Sequence, residues 1–138
     1  MSNEAFRRKV AELVAADPRF SKKAYYFVAD AVTYTAKKIR ENNPELGKHI
    51  SGRQLLEGIR EYALDQFGPL ALDVLNDWGV RQTEDFGSLV FKMVENQLLG
   101  ASEEDSPADF VNVYDFREAF LKPFTPPTAP ASPLPKIE

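Results

Sequence analysis

Apolar residues recur along the first hundred positions with the spacing of helix faces. Over 3–16, Phe6, Val10, Leu13 and Val14 fall at i, i+4, i+7 and i+8, one stripe of a 3.6-residue period that leaves Arg7, Arg8, Lys9 and Glu12 to solvent. Asp17-Pro18 breaks the pattern, because proline disfavours helix at the residue before it. Ser21 is placed to cap a second helix over 22–41. Its apolar positions form two adjoining stripes, Ala24/Phe27/Ala31/Tyr34 and Tyr25/Val28/Val32/Thr35/Ile39, a face broad enough for more than one neighbour. Lys37, Lys38 and Arg40 cluster in its last turns, favourable to the negative end of the helix dipole, and Asn42-Asn43-Pro44 stops it.

After a linker at 42–50, Ser51-Gly52-Arg53-Gln54 reads as a capping box that opens a helix over 52–67. Leu55, Leu56, Ile59, Tyr62, Ala63 and Phe67 are its buried face. Gly68 closes that helix and Pro69 opens a shorter one over 69–78, with Ala71, Val74, Leu75 and Trp78 as its stripe and Gly79 as its end. Thr83 is expected to cap a longer helix reaching about Leu98, with Phe86, Leu89, Val90, Met93 and Val94 inward and Gly100 as the stop. Gly87 inside it weakens the helix by up to ~1 kcal/mol, which predicts a close neighbour there. Residues 101–109 are turn-like and acidic. Phe110-Val111-Asn112-Val113-Tyr114 has the β-branched and aromatic content of a short strand, with helix as the alternative, and 115–121 adds a final helical turn. From Lys122 onward Pro123, Pro126, Pro127, Pro130, Pro133 and Pro135 mark a partly polyproline tail outside any core.

The expected architecture is mainly α. One helical domain spans 1–121, in which an N-terminal helical pair (3–41) packs on a winged-helix-like three-helix unit with a short β-hairpin (51–121); a disordered Pro-rich tail (122–138) follows. The winged-helix reading rests on element order alone.

Composition narrows the function classes. The chain is 43% hydrophobic over 138 residues, enough for one core. No cysteine is present, which excludes disulfide scaffolds, thiolate metal sites and cysteine nucleophiles, and fits a reducing, cytoplasmic setting. No run of roughly 18 apolar residues marks a membrane span, and the N-terminus is polar, unlike a secretory signal. The net charge of −4 hides an asymmetry: residues 1–60 carry 12 Lys/Arg against 7 Asp/Glu (+5), and residues 61–138 carry 5 against 14 (−9). Such a split marks either faces with different partners or two halves that attract each other.

Catalytic constellations are sparse. The one histidine, His49, rules out a His-based metal triad within the chain, and the capping role accounts for its neighbour Ser51. The glycines make no phosphate loop, and Glu103-Glu104-Asp105 lacks the alternating ligands of a calcium loop. No cofactor is expected. Tyr26, Asp30 and Tyr34 recur every four residues; they are either an acid–base site or, with Lys23 and Lys37 within reach of Asp30, a wet edge of the core. Glu57, Glu61 and Asp65 line one face of the third helix. Arg53 and Arg60 are near enough to offset that stripe, which is otherwise a surface for a basic protein partner.

Nucleic acid is the natural partner of a winged helix, yet the would-be recognition helix carries one lysine against three acids, so readout through it is repulsive. The nucleic-acid alternative rests on Arg7, Arg8, Lys9, Lys22, Lys23, Lys37, Lys38 and Arg40. His49 to Arg60, Gln66-Phe67-Gly68-Pro69, Asp77-Trp78-Gly79-Val80, Glu84-Asp85-Phe86-Gly87 and Tyr114-Asp115-Phe116 resemble a small conserved family of bacterial proteins typical of the Planctomycetes and Verrucomicrobia group. The likeness spans about residues 5–120. It implies a bacterial, cytoplasmic protein and brings no activity or catalytic residue with it. The expected function is a non-enzymatic protein-interaction or adaptor module, with the nucleic-acid-associated regulator as the alternative.

Overall fold

The computed structural model describes residues 3–42, 50–100 and 107–124. Among them, five α-helices follow in chain order: α1 (Asn3–Ala16), α2 (Lys22–Asn42), α3 (Gly52–Phe67), α4 (Ala71–Asp77) and α5 (Thr83–Glu95). Turns of 3-10 helix lie at Gly68–Leu70, Pro107–Phe110 and Lys122–Phe124, and a π-turn at Arg117–Leu121. The described chain is mainly helical and contains no strand.

Local chemistry sets the helix ends. Ser21 Oγ accepts from the Lys23 N–H at 3.1 Å, the expected cap of α2. At α3, Ser51 Oγ accepts from the Gln54 N–H at 3.1 Å and Gln54 Oε1 accepts from the Ser51 N–H at 2.9 Å, closing the capping box. Gly68 ends α3 with φ 54°, a conformation glycine takes without strain. The start of α5 differs from expectation. Gln82 is the N-cap, and Asp85 Oδ2 accepts from the N–H groups of Arg81 at 2.9 Å and Gln82 at 3.3 Å. Thr83, fully buried, uses its hydroxyl elsewhere and accepts from the Val113 N–H at 3.1 Å. α5 also stops at Glu95, short of Leu98, because Gln97 enters the left-handed region at φ 59° and Leu98 N–H closes back on the Met93 carbonyl at 2.8 Å.

The central element is α2, which packs against both α3 and α5 and buries Ala24, Tyr25, Phe27, Val28, Ala31 and Thr35. The Thr35 hydroxyl is satisfied within the helix, donating to the Ala31 carbonyl at 2.7 Å. Opposite it stands Gly58 of α3, where a Cβ would lie 2.8 Å from both Cβ and Cγ2 of Thr35. That is inside van der Waals contact, so the absent side chain fixes how near the two helices come. Further along the pair the filling is aromatic: Phe27 lies 5.4 Å from Tyr62 and 5.6 Å from Phe67, and Tyr34 lies 5.2 Å from Tyr62, centroid to centroid.

The second core helix is α5, of whose 13 residues only Glu95 is exposed. The α1–α2 loop covers part of it: Lys92 Nζ bonds Asp17 Oδ2 and lies 5.8 Å from the Phe20 ring. That loop is held in turn at Gly79, whose φ is 91° and where a Cβ would collide with the Arg19 carbonyl oxygen, while the Ser21 N–H donates to the Trp78 carbonyl at 3.0 Å. Residues 107–121 form a strap over the rest. Phe110 is seated between the glycines of two helices: a Cβ at Gly87 would lie 2.9 Å from its Cβ, and one at Gly52 would lie 3.2 Å from its Cε1. The close neighbour predicted at Gly87 is this phenylalanine. Tyr114 OH donates to the Leu56 carbonyl at 2.9 Å, and Phe116 lies tilted against Phe86 at 5.5 Å and meets Phe120 edge-on at 5.0 Å.

The strand expected at 110–114 does not form. Phe110 ends a 3-10 turn, Asn112 sits at φ 47°, and no strand among the described residues offers a ladder to join. Residues 101–106 of the turn-like acidic segment lie outside the described residues, as does His49. α4 is shorter than the expected 69–78 because Gly68–Leu70 winds as 3-10 helix. Helical structure runs past 121 to Phe124, and the remaining tail, 125–138, lies outside the described residues.

Two substitutions test this packing by urea unfolding. Helix propensity alone favours Gly58→Ala by about 1 kcal/mol. Overlap with Thr35 reverses the sign, and a net loss of about 1–2 kcal/mol is expected. Tyr25 is fully buried and its hydroxyl has no hydrogen-bond partner, so Tyr25→Phe is expected to add about 1 kcal/mol of stability.

Candidate functional site

An open groove of about 200 Å³ lies where α2, α3 and the end of α4 meet. Residues 23, 26, 27 and 30 face it from α2 because their spacing of three and four keeps them on one side. Tyr62, Gln66 and Phe67 face it from the last turns of α3, and Trp78 closes it from the end of α4. Phe27 is buried and forms the floor; Tyr26, Tyr62, Phe67 and Trp78 are partly buried walls. Trp78 lies 5.7 Å from Phe27 and meets Phe67 edge-on at 5.5 Å and 82°. Its carbonyl is tied to Ser21, so the wall is fixed to the backbone of a neighbouring loop. Lys23, Asp30 and Gln66 supply a polar rim. Burial pushes the Tyr62 phenol above its ordinary pKa, helped by the carboxylates of Asp30 and Asp65, so it stays a hydrogen-bond donor at neutral pH.

Of the residues singled out from sequence, Tyr26 and Asp30 line this groove and Tyr34 does not. Tyr26 also meets α1, 5.9 Å from Phe6 and under the Arg7 guanidinium at 5.9 Å, so it stands between α1 and the groove, while Tyr34 leans on Tyr62. Asp30 is exposed, and no hydrogen bond joins it to either tyrosine. The three are not gathered for acid–base work. Nor does an ion pair join Asp30 to Lys23 or Lys37, the partners expected for it. The sequence reading placed Phe27, Tyr62, Phe67 and Trp78 in the core and missed that they share an open edge. Phe67 and Trp78 each immediately precede a helix-ending glycine, and that position at a helix end was the available signal.

The acidic stripe is largely engaged within the chain. Glu57 accepts from Arg60 at 3.0 Å, as its spacing predicts. Glu61 accepts from Lys38 of α2 at 2.6 Å, a pair that joins the two charge clusters. That bond raises the Lys38 pKa, with Glu61 as the main cause. Asp65 accepts from the Gln66 side chain at 3.2 Å and Arg53 is exposed. The eight basic candidates are dispersed. Lys9 pairs with Glu12 at 3.6 Å, Lys38 is bound to Glu61, and Arg7 lies over Tyr26. Arg8, Lys22, Lys23, Lys37 and Arg40 are exposed. Lys22 and Arg40 stand near opposite ends of α2, roughly 27 Å apart at 1.5 Å per residue.

A second cleft of about 370 Å³ lies beside the strap, lined by Leu72, Asn76, Arg81, Gln82, Glu84, Asn112, Tyr114, Asp115, Phe116 and Arg117. Its lining includes two arginines, Arg81 and Arg117, and two carboxylates, Glu84 and Asp115. Backbone N–H groups of Glu84 itself and of Asn112, with the Thr83 hydroxyl, hold the Glu84 carboxyl below its ordinary pKa against the opposing effect of burial. The Tyr114 phenol is pushed far above its usual range, chiefly by burial, and is committed to Leu56.

Among the described residues no group of three or more His, Cys, Asp or Glu is placed to hold a metal ion, and no helix is long and apolar enough to cross a membrane. No protein-family model, curated protein or solved structure matches the chain.

The Asp17–Lys92 contact gives a pH test. The Lys92 hydrogen bond, then the Arg19 N–H, hold the Asp17 carboxyl below 3.8. Its stabilisation is complete above that value and is lost as pH falls through the lower folded pKa. Asp17→Asn is expected to lower stability at about pH 7, and its difference from the parent to shrink as pH falls below the ordinary carboxylate range, in urea unfolding followed across pH.

Proposed function

We propose that this protein is a non-enzymatic interaction module that takes an extended, proline-containing segment of a partner protein into the aromatic groove between α2, α3 and α4. The observation that carries the reading is the set of four partly buried rings, Tyr26, Tyr62, Phe67 and Trp78, standing around a buried Phe27 floor. A polyproline II segment is already extended and loses little entropy on docking, and its flat rings fill aromatic-lined grooves. Aromatic side chains are also enriched at protein interfaces. Lys23, Asp30 and Gln66 offer polar contacts that set direction along the groove.

Of the candidate partner surface, Asp65 lies near enough to Tyr62 to raise its pKa, while Glu57 and Glu61 support α3 through Arg60 and Lys38. The order α3–α4–α5 keeps the sequence of a winged helix-turn-helix, but the reading makes no use of α5 as a reading head, since that helix is covered. The cytoplasm is the proposed setting, in keeping with a chain that has no cysteine.

The test is titration with a synthetic polyproline decapeptide, followed by emission of Trp78, the one tryptophan. It is run on the parent chain and on a full-length variant with Pro126, Pro127, Pro130, Pro133 and Pro135 replaced by serine, so that no proline segment of the chain competes. A saturable change is expected, weakened about tenfold by Tyr62→Ala as for a central interface ring. No saturable change in either chain would overturn the reading. Duplex DNA binding that weakens steeply with salt, and is lost when Lys22, Lys37 and Arg40 become glutamate, would support the nucleic-acid-associated regulator in its place.

A further inference from the structure

We infer that the cleft beside the strap is a binding site for a small organic anion, a carboxylate or a phosphate ester, gripped by the guanidinium groups of Arg81 and Arg117. The cleft measures about 370 Å³, a size that suits a small molecule. It shares no lining residue with the aromatic groove, so the anion site stands or falls apart from the peptide reading. Its wall comes from α4, from the turn into α5 and from the strap, three segments that only the folded chain brings together.

Both arginines are anchored at the backbone and uncommitted at the head. The Arg81 N–H donates to Asp85 Oδ2 at 2.9 Å, and the Arg117 N–H donates to Asp115 Oδ1 at 2.8 Å. Among the described residues neither guanidinium has an ion-pair or hydrogen-bond partner, although Glu84 and Asp115 line the same cleft. Those carboxylates are already in use. Glu84 accepts from its own N–H, from that of Asn112 and from the Thr83 hydroxyl, and Asp115 from the Arg117 N–H. The Tyr114 hydroxyl is spent on the Leu56 carbonyl. A guanidinium donates from every nitrogen and accepts nothing, so the cleft gathers donors with little to receive them. The complement is a group that only accepts, and the planar fork of an arginine matches a carboxylate or phosphate with two parallel bonds.

The remaining lining narrows the class. Two carboxylates balance the two arginines, which suits one anionic group and disfavours a polyanion such as a nucleic-acid strand. The buried Phe116 and half-buried Leu72 supply apolar surface for the body of the ligand. An anion held by both arginines ties the strap to the start of α5. It binds only while the strap is closed, so its concentration governs how often residues 107–121 open.

The experiment titrates the full-length chain with phenyl phosphate, benzoate and uncharged benzamide at constant ionic strength, by calorimetry. Saturable binding of at least one anion is expected, about tenfold tighter than benzamide, and the tighter of the two anions tells a phosphate ester from a carboxylate. Arg81→Gln and Arg117→Gln are each expected to weaken that anion about tenfold. Both side chains are exposed, so the variants keep the parent's unfolding midpoint. Arg8→Gln, at an exposed position of α1, is expected to change nothing. At an anion concentration about ten times its Kd, amide exchange in the strap is expected to slow about tenfold. Absence of saturable anion binding, equal binding of benzamide, or equal affinity in the parent and the two cleft variants would overturn the inference. An equal loss in Arg8→Gln would reduce it to general charge attraction, and anion binding that leaves strap exchange unchanged would place the anion elsewhere; either result overturns the site.

Discussion

The distance between α2 and α3 is set by Gly58 against Thr35, and the positions of most other elements follow from it. A hydrogen atom stands at this point of the interface where any other residue would put a carbon into the Thr35 side chain, against its hydroxyl oxygen and 2.8 Å from its Cβ. Further along the same two helices the space is filled by Phe27, with Tyr62 at 5.4 Å and Phe67 at 5.6 Å from it, centroid to centroid. One interface thus runs from almost no side-chain thickness to the thickness of stacked rings. Among the described residues no helix crosses the outer side of the wide end, and Trp78 closes only part of it. The groove is what remains where two helices, pinned close at one point, are held apart by large side chains elsewhere.

Charge is organised as internal connection more than as display. Lys38–Glu61 joins the basic first half to the acidic second half, and Lys92–Asp17 joins them with the signs exchanged. Both contacts link residues distant in sequence and lie at the protein's edge, where an ion pair stabilises little but fixes register between neighbouring segments. Glu57 is likewise engaged by Arg60, whereas Arg8, Lys22, Lys23, Lys37 and Arg40 stand exposed.

Much of the fold is legible in the sequence where local chemistry decides. The Ser51–Gln54 box, the Ser21 cap, the Gly68 stop and the apolar stripes of α1 to α4 are consequences of short-range geometry. Two features resisted that logic because they depend on partners far along the chain. Val111 and Val113 have strand-forming side chains, yet the backbone between them turns at Asn112 and Phe110 is drawn into a slot made by Gly52 and Gly87. α5 reads as an amphipathic helix with a polar outer face, but Asp17 and Phe20, which meet Lys92, and the strap cover that face. The groove was half legible. Tyr26 and Asp30 stand out by spacing, whereas Phe67 and Trp78 look like ordinary core rings until α3 and α4 end side by side.

The strap has a dynamic consequence. Its anchors are a hydroxyl on α5, a carbonyl on α3 and one phenylalanine pressed against two glycines, so they form and release as a unit. Gly52 and Gly87 carry no side chain that could shield their helices once Phe110 withdraws. Amide protons of α5 near Gly87 then exchange with solvent at a rate governed by opening of residues 107–121, well before the α2–α3 pair separates, and the two regions behave as distinct cooperative units.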